Sequence, residues 1–407
     1  MRIENGESAA GNPGPACAPP PLGLYIHIPF CASICGYCHF NRRASDPALE
    51  RRYVDAVVKE IGRASPSAGL GTAATAAADT IYLGGGTPSL LAPADVASLV
   101  RACGDAFDGA PDAEVTLEAN PDTVSQDRLA GYRAAGINRL SFGVQSFRDS
   151  DLARLGRRHD AERARAAFRE ARAAGFDNIS LDLMLALPGQ ALSDALESAD
   201  ALVSLEPEHA SVYLLELYPG TPLGDALAPG RPDRPDEDTA ADLYLATMER
   251  LEAAGYGQYE ISNVARPGRR SRHNMKYWTD GRWCGFGCGA HSTVGAERWD
   301  NVDSVGEYVS RIEGGRSPVA SRRLRSPREQ VEETLFMGLR LTDGVALDRV
   351  LARHGVDVWR EWGDRLAAFE EAGLLTREDR RLRLTRKGML LATDVMSTFL
   401  EAGSTLQ

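Results

Sequence analysis

Between Leu24 and Glu216 the chain alternates short apolar runs with longer stretches whose apolar residues recur at helical spacing. The short runs Leu24–Ile28, Thr80–Leu83, Glu114–Leu117, Arg139–Val144, Asn178–Leu185 and Ala210–Leu215 predict strands. Helical patterns at Pro47–Gly62, Pro93–Phe107, Ser125–Ala135, Ala161–Ala174 and Leu192–Leu205 fill the intervals. Strands separated by helices imply β/α crossovers and a parallel sheet. Six such strands fit either a doubly wound sheet or a full or partial barrel. A further helix is predicted from Asp236 to about Ala254, before a Gly- and Trp-rich segment, Tyr256–Arg298. Past about Pro318 the pattern changes to short helices and a small hairpin, at Glu329–Leu339, Leu347–Arg353, Val358–Ala372 and Arg383–Thr393. The run LAAFEEAGLL…RLRLTRKGMLL resembles a winged-helix unit. Two low-complexity stretches interrupt these patterns. Residues 1–23 predict a disordered Pro/Gly-rich tail, and Ala64–Ala78 an extended loop.

Composition bounds the function. A chain of 407 residues, 43% apolar, can bury one large core and a smaller one. Lys and Arg total 46 against 57 Asp and Glu, a net charge of −11. Binding phosphate backbones needs clustered positive charge, so a broad nucleic-acid surface is not expected, on the winged-helix unit included. No apolar run approaches the roughly 20 residues of a membrane-spanning helix, and the first residues carry no signal-type apolar core. No stable membrane anchor is therefore expected. Of seven cysteines, three fall within eight residues, a pattern of metal binding rather than of disulfides. These features place the chain in a reducing compartment, the cytoplasm.

The three crowded cysteines, Cys31, Cys35 and Cys38, are spaced CxxxCxxC in YIHIPFCASICGYCHF. Three close thiolates can hold three irons of a cubane [4Fe–4S] cluster and leave the fourth iron open to a chelating amino acid. The competing reading is a zinc site completed by His39 or a remote residue. Zinc motifs usually pair two CxxC units, and there is no second pair here. The cysteine loop follows the C-terminal end of the first strand, the edge where β/α folds gather ligands. The same edge collects Gly84–Pro88 after the second strand, Glu118 at the third, Gln145 at the fourth, Asp182 within the fifth and Glu216 after the sixth. Glycines allow close backbone approach. Glu118 would accept from an ammonium, Gln145 and Asp182 would meet a ribose or adenine, and Arg157 would neutralise a carboxylate.

A second patch, SRHNMKYWTDGRWCGFGCGAHS, contains the motif HNxxYW at His273, Asn274, Tyr277 and Trp278. Histidine ligates metals and aromatic rings stack on flat ligands. Read from residues alone, however, His273 is a packed, hydrogen-bonded side chain. Cys284 and Cys288 read as buried thiols.

The cysteine loop resembles that of radical S-adenosylmethionine enzymes, in the family of oxygen-independent coproporphyrinogen III dehydrogenase (HemN-like). The resemblance runs from Leu24 to about Leu400 and includes YLGGGTPS, TLEANPDT, GINRLSFGVQSF, LGRRH, SLDLMLALPGQ, LYPGTPL and EISNVARPGRRSRHNMKYW. It implies an α/β fold, an incomplete (β/α)6 radical-SAM barrel with a small C-terminal winged-helix-like α+β domain. The implied layout is a barrel over 24–235, a connecting segment over 236–317 and a C-terminal domain over 318–407. It implies a [4Fe–4S] cluster on Cys31, Cys35 and Cys38. It also implies S-adenosylmethionine contacts at Tyr25, Tyr37, Gly85, Gly86, Thr87, Glu118, Gln145, Arg157 and Asp182. The dehydrogenase branch carries a fourth cysteine two residues after the third and a longer N-terminal segment; here the position is Phe40 and the tail is short. The HNxxYW motif is similar to that of the haem-chaperone branch. That branch implies haem as a ligand with His273 as a contact, and haem-accepting proteins such as respiratory enzymes as partners. Cluster and cofactor would gate transfer or dimerisation to a homodimer. Oxidative decarboxylation of coproporphyrinogen III is the alternative. His39 stands where relatives of the family carry Asp or Gly.

Overall fold

The computed structural model describes residues 20–64, 77–227 and 236–400. Six parallel strands form its centre: β1 (Leu22–Ile28), β2 (Ala78–Gly85), β3 (Gly109–Ala119), β4 (Arg139–Gln145), β5 (Ile179–Leu185) and β6 (His209–Leu214). Each pairs with the next in sequence. A doubly wound sheet reverses strand order at a switch point, and this sheet does not. Every crossover therefore turns the same way, the helices share one face, and the sheet curls. The two ends do not meet. Strand β1 pairs on its outer side with β9 (Arg282–Phe286), and β6 with β8 (Asn263–Ala265). The full twelve-stranded order is β12-β11-β10-β9-β1-β2-β3-β4-β5-β6-β8-β7, with β7 at Gly257–Glu260, β10 at His291–Val294, β11 at Glu297–Asn301 and β12 at Val319–Leu324. The outcome is an incomplete (β/α)6 barrel, as expected.

The helices that cover it are α1 (Pro47–Arg63), α2 (Pro93–Ala106), α3 (Gln126–Ala134), α4 (Asp149–Arg154), α5 (Ala161–Ala173) and α6 (Leu192–Leu205). Their starts are encoded locally. Asp46 caps α1 by accepting from the Ala48 and Leu49 amides, with Pro47 at the first position; Ser125 and Asp160 cap α3 and α5. In α1, Tyr53, Val54, Val57 and Ile61 form the buried stripe. Strands β1 and β5 are buried along nearly their whole length, as parallel strands with both faces covered must be.

Three boundaries differ from expectation. Leu22 and Gly23, assigned to the tail, are strand residues, and Leu22 is fully buried. Residues 236–317 do more than connect: they supply β7 to β11 and so extend the sheet at both edges. Strand β12, placed in the C-terminal domain, also belongs to the large sheet. The separate C-terminal core begins at α9 below. The predicted loop over Ala64–Ala78 lies mostly outside the described residues, while Ala78 itself opens β2.

One segment ties the two edges of the sheet together. Between β8 and β9 runs a short helix, α8 (Arg272–Trp278), preceded in sequence by α7 (Glu237–Ala253). It packs under the N-terminal ends of the first three strands. Lys276 Nζ donates to Pro21 O (2.9 Å), and the His273 amide donates to Glu114 Oε1 (3.1 Å).

The C-terminal unit has its own core, including Leu335, Val350, Trp362, Leu366 and Leu382. Helix α9 (Pro327–Gly338), a two-residue strand at Val345–Ala346, α10 (Leu347–His354), α11 (Val358–Glu371) and the hairpin Leu375–Glu378/Arg381–Leu384 follow in winged-helix order. Among the described residues no helix is long and apolar enough to cross a membrane.

Candidate functional site

The cysteine loop leaves β1 at Pro29. It is pinched at its neck by a two-residue parallel pairing of Phe30–Cys31 with Arg43–Ala44. The Arg43 amide donates to Pro29 O (2.7 Å) and the Ser45 amide to Cys31 O (2.9 Å). The Phe30 ring meets the Tyr53 ring edge-on at 5.4 Å, anchoring the neck on α1. Within the loop the Cys38 amide donates to Cys35 O (3.3 Å), closing a tight backbone turn between the second and third cysteines.

The glycine run after β2 crosses this neck. The Gly86 amide donates to Ile28 O and the Thr87 amide to Phe30 O, both at 2.8 Å. A Cβ on Gly86 would stand 2.8–2.9 Å from the Phe30 and Ile28 oxygens and the Pro29 carbon. The chains approach as closely as they do because position 86 has no side chain.

Loop and glycines border a cavity of about 510 Å³ at the C-terminal rim of the barrel. Cys31, Cys35, Cys38, Tyr37, Gly85, Gly86, Thr87, Glu118, Gln145, Arg157 and Asp182 all line it. Eleven expected site residues are thus brought together, and two are not. Tyr25 lies outside the lining. Its hydroxyl pairs with His27 Nδ1 (3.1 Å) and its ring stacks on Tyr82 at 6.2 Å. His273 also lies apart, at the N-terminal end of the barrel and only 1% exposed. Its Nδ1 pairs with Thr80 Oγ1 (2.8 Å) and its Nε2 with Tyr277 Oη (2.9 Å). Burial holds its pKa down at about 3, so the ring is neutral. The residue expected to contact haem is thus a buried ring with both nitrogens engaged inside the barrel.

Electrostatics in the cavity are set by burial and by two guanidiniums. Glu118 accepts from Tyr82 Oη (2.7 Å) and the Gly85 amide (2.9 Å), yet burial raises its pKa. Asp182 is pushed up to about 7, by burial first and by Glu118 second, although the Ser141 hydroxyl donates to it at 3.3 Å. Burial also raises the Cys31 and Cys38 thiols, opposed by Thr87 at the former and by Arg42 near both. Arg157 donates to Cys35 Sγ (3.5 Å), Asn120 Oδ1 (2.7 Å) and Gly143 O (2.6 Å). Arg42 donates to the carbonyls of Phe40 (3.2 Å) and Cys38.

Asn120 and Arg42 were not anticipated. Asn120 also donates to Thr87 Oγ1 (3.1 Å), so it links the glycine loop to Arg157 and through it to Cys35. Its place just past Glu118, at a strand end, was the available signal. Arg42 left none, since it acts on backbone carbonyls.

The residues fit a cluster and a polar cofactor. Gln145 sits at φ 72°, in the left-handed region that costs a side-chain residue about 1 kcal/mol or more, and its buried Oε1 has no protein partner. A strained residue with an unpaired acceptor at a cavity wall marks a candidate ligand contact. Among the described residues no three His, Cys, Asp or Glu side chains converge as the ligands of a single ion would. A cubane takes its thiolates one per iron, spread around the cluster.

Residues 25–202 match the Radical SAM superfamily and residues 326–391 the HemN C-terminal domain. The "Heme chaperone HemW" of Bacillus subtilis (strain 168) is 37% identical over 92% of this chain and 98% of its own length. The protein of the same name from Mycobacterium tuberculosis is 39% identical over 93% and 95%. Bovine "Radical S-adenosyl methionine domain-containing protein 1, mitochondrial" is 32% identical over 98% and 92%. The solved structure of coproporphyrinogen III oxidase (HemN) from Escherichia coli superposes with a TM-score of 0.81 over 94% of this chain and 90% of that one, at 23% identity, a likeness of fold. Superfamily membership brings with it a [4Fe–4S] cluster and S-adenosylmethionine, the first able to supply an electron to the second. With its thiol triad, its cofactor-shaped rim and this near full-length likeness, the chain belongs to the haem-chaperone HemW family of HemN-like radical S-adenosylmethionine proteins.

Proposed function

We infer that the chain binds haem and hands it to haem-requiring acceptor proteins, respiratory enzymes among them. The observation that carries this reading is the likeness to heme chaperones over more than nine-tenths of both chains. Phe40 supports it, because the residue standing two places after Cys38 is an exposed phenyl ring rather than a fourth thiol.

In this reading Cys31, Cys35 and Cys38 hold the cluster. Gly85, Gly86 and Thr87 present backbone to the methionine part of the cofactor, and Glu118 accepts from its ammonium. Gln145 and Asp182 serve the nucleoside end, and Arg157, Asn120 and Tyr37 order the wall beside Cys35. The loaded site conditions haem transfer and a change to a homodimer, and porphyrin oxidation is not its task. The thiol set needs a reducing compartment, which we take to be the cytoplasm.

The test is made on anaerobically reconstituted full chain. Haem binding, followed by transfer to an apo-haem protein in the presence of S-adenosylmethionine, is the expected result. Conversion of coproporphyrinogen III to protoporphyrinogen would overturn it in favour of the dehydrogenase.

A further inference from the structure

The cavity ends in a rim that the cofactor reading leaves unused. Eight large hydrophobic side chains are exposed among the described residues, and three of them, Phe40 (60%), Tyr213 and Leu214, line this one cavity. A fourth, Ile34 (51%), stands on the cysteine loop itself. Exposed apolar surface concentrated at a cavity mouth marks a binding face. His39 stands in the middle of it. Its ring lies nearly parallel to that of Tyr218, centroids 3.5 Å apart, and 5.1 Å from that of Phe40. Tyr218 is in turn held by Glu216 through its hydroxyl. Among the described residues the His39 imidazole makes no hydrogen bond, so both nitrogens are open while the ring plane is fixed by stacking.

The other histidines are placed differently. His27, His209 and His273 are buried with both ring nitrogens engaged, and His159 is buried against Val144 O. His354 belongs to the C-terminal unit, and His291 is exposed on β10, away from the cavity. Only His39 offers an imidazole to the cavity.

We propose that haem docks on this rim with His39 as the axial ligand of its iron, its macrocycle lying against Phe40, Ile34 and Leu214. The ligand chemistry is that of a flat apolar ring carrying a metal that accepts neutral nitrogen and edge carboxylates that face cations. Arg42 and Arg157 supply positive charge on the same wall of a chain with net charge −11. The placement sets haem beside the cluster loop, so that both cofactors share one opening. It rests on the haem-chaperone reading and names the site that reading lacks.

The experiment titrates cluster-reconstituted full chain with ferric haem, followed by the Soret band and low-temperature EPR. Metal-free protoporphyrin serves as a second probe. Wild type, His39→Ala, His39→Gln, Phe40→Ser and His273→Ala are compared, with iron and sulfide content checked for each. The expected result is a nitrogen-ligated haem in wild type and in His273→Ala. Both His39 variants lose that signature, bind haem at least tenfold more weakly, and regain the spectrum on adding free imidazole. Protoporphyrin, which needs no axial ligand, is weakened by Phe40→Ser and little changed by His39→Ala. His39 variants with full clusters and a wild-type haem spectrum and affinity would overturn the site while leaving the chaperone reading standing. Wild type that binds no haem would overturn the reading itself.

Discussion

Arg157 donates a hydrogen bond to the sulfur of Cys35 at 3.5 Å, and the same guanidinium holds Asn120 Oδ1 at 2.7 Å. A buried cation bonded to a cluster sulfur favours the more negative, reduced state. Arg157→Met is therefore expected to lower the cluster's midpoint potential. The shift is about 65 mV, the one-electron equivalent of roughly 1.5 kcal/mol for a lost charged hydrogen bond. An EPR-monitored redox titration reads it, and an unchanged potential would show that the contact does not reach the cluster.

Two glycines predict opposite signs. Gly86→Ala puts a methyl against three backbone atoms that cannot move independently, and it should cost about 1–3 kcal/mol and reduce cluster loading. Gly62 lies near the end of α1 with nothing within 4 Å of its Cβ position, so Gly62→Ala should stabilise by about 0.5–1 kcal/mol. Thermal melting of both variants, with iron counted per chain, decides the matter.

Asp182 gives the cavity a titration near neutrality. Its carboxyl is held at about 7 against an ordinary 3.8, so it contributes stability below pH 3.8 that is lost as pH rises through about 7. Binding runs the other way. The ionised form welcomes a cationic cofactor, so affinity for S-adenosylmethionine should rise from pH 6 to pH 8, and Asp182→Asn should flatten the rise. Calorimetry in buffers of different ionisation enthalpy should show a proton released on binding near pH 6.5. Equal heats in all buffers would exclude Asp182 as its source.

His273 predicts acid lability. Its folded pKa of about 3 lies below the ordinary 6.5. The stability it contributes is present above pH 6.5 and drains as pH falls toward 3, at about 1.4 kcal/mol per pH unit. His27 and His209, lowered by burial as well, add in the same direction. His273→Gln should melt earlier at pH 7.5 but lose stability less steeply down to pH 5. His273→Ala, which orphans Thr80 and Tyr277 and leaves a hole, should cost roughly 2–4 kcal/mol at neutral pH. Reduced haem recovery from that variant is then a folding effect, seen as a lowered melting temperature before any haem is added.

Much of this was legible along the chain. Five of the six central strands begin within two residues of their apolar runs, because a strand buried on both faces writes itself as continuous hydrophobicity. The exception, β3, starts at Gly109 rather than Glu114, since GAPDA carries no large apolar side chain, is mostly exposed and is interrupted by Pro111. The rim was legible because polar residues at strand ends share an edge by construction. Strand β9 was not, since its parallel pairing with β1 joins residues some 260 positions apart. Strand β12 is exposed or half-exposed throughout and carries no alternation. For His273 the residues read alone pointed to a packed ring and the motif resemblance to haem; the structure places Thr80 and Tyr277 on its two nitrogens.

The helix that carries HNxxYW leaves the β6 edge of the sheet through β8 and re-enters at the β1 edge through β9. An open barrel thus has a spine at its base, like the binding of a half-open book. At the cysteine end the same two sides are bridged by the Leu223 amide on Gly36 O (2.9 Å) and by the His39–Tyr218 stack. Spreading the base must part Thr80, Glu114 and Pro21 from their partners on this one helix, so the segment that carries HNxxYW sets how far the first strands can separate from one another.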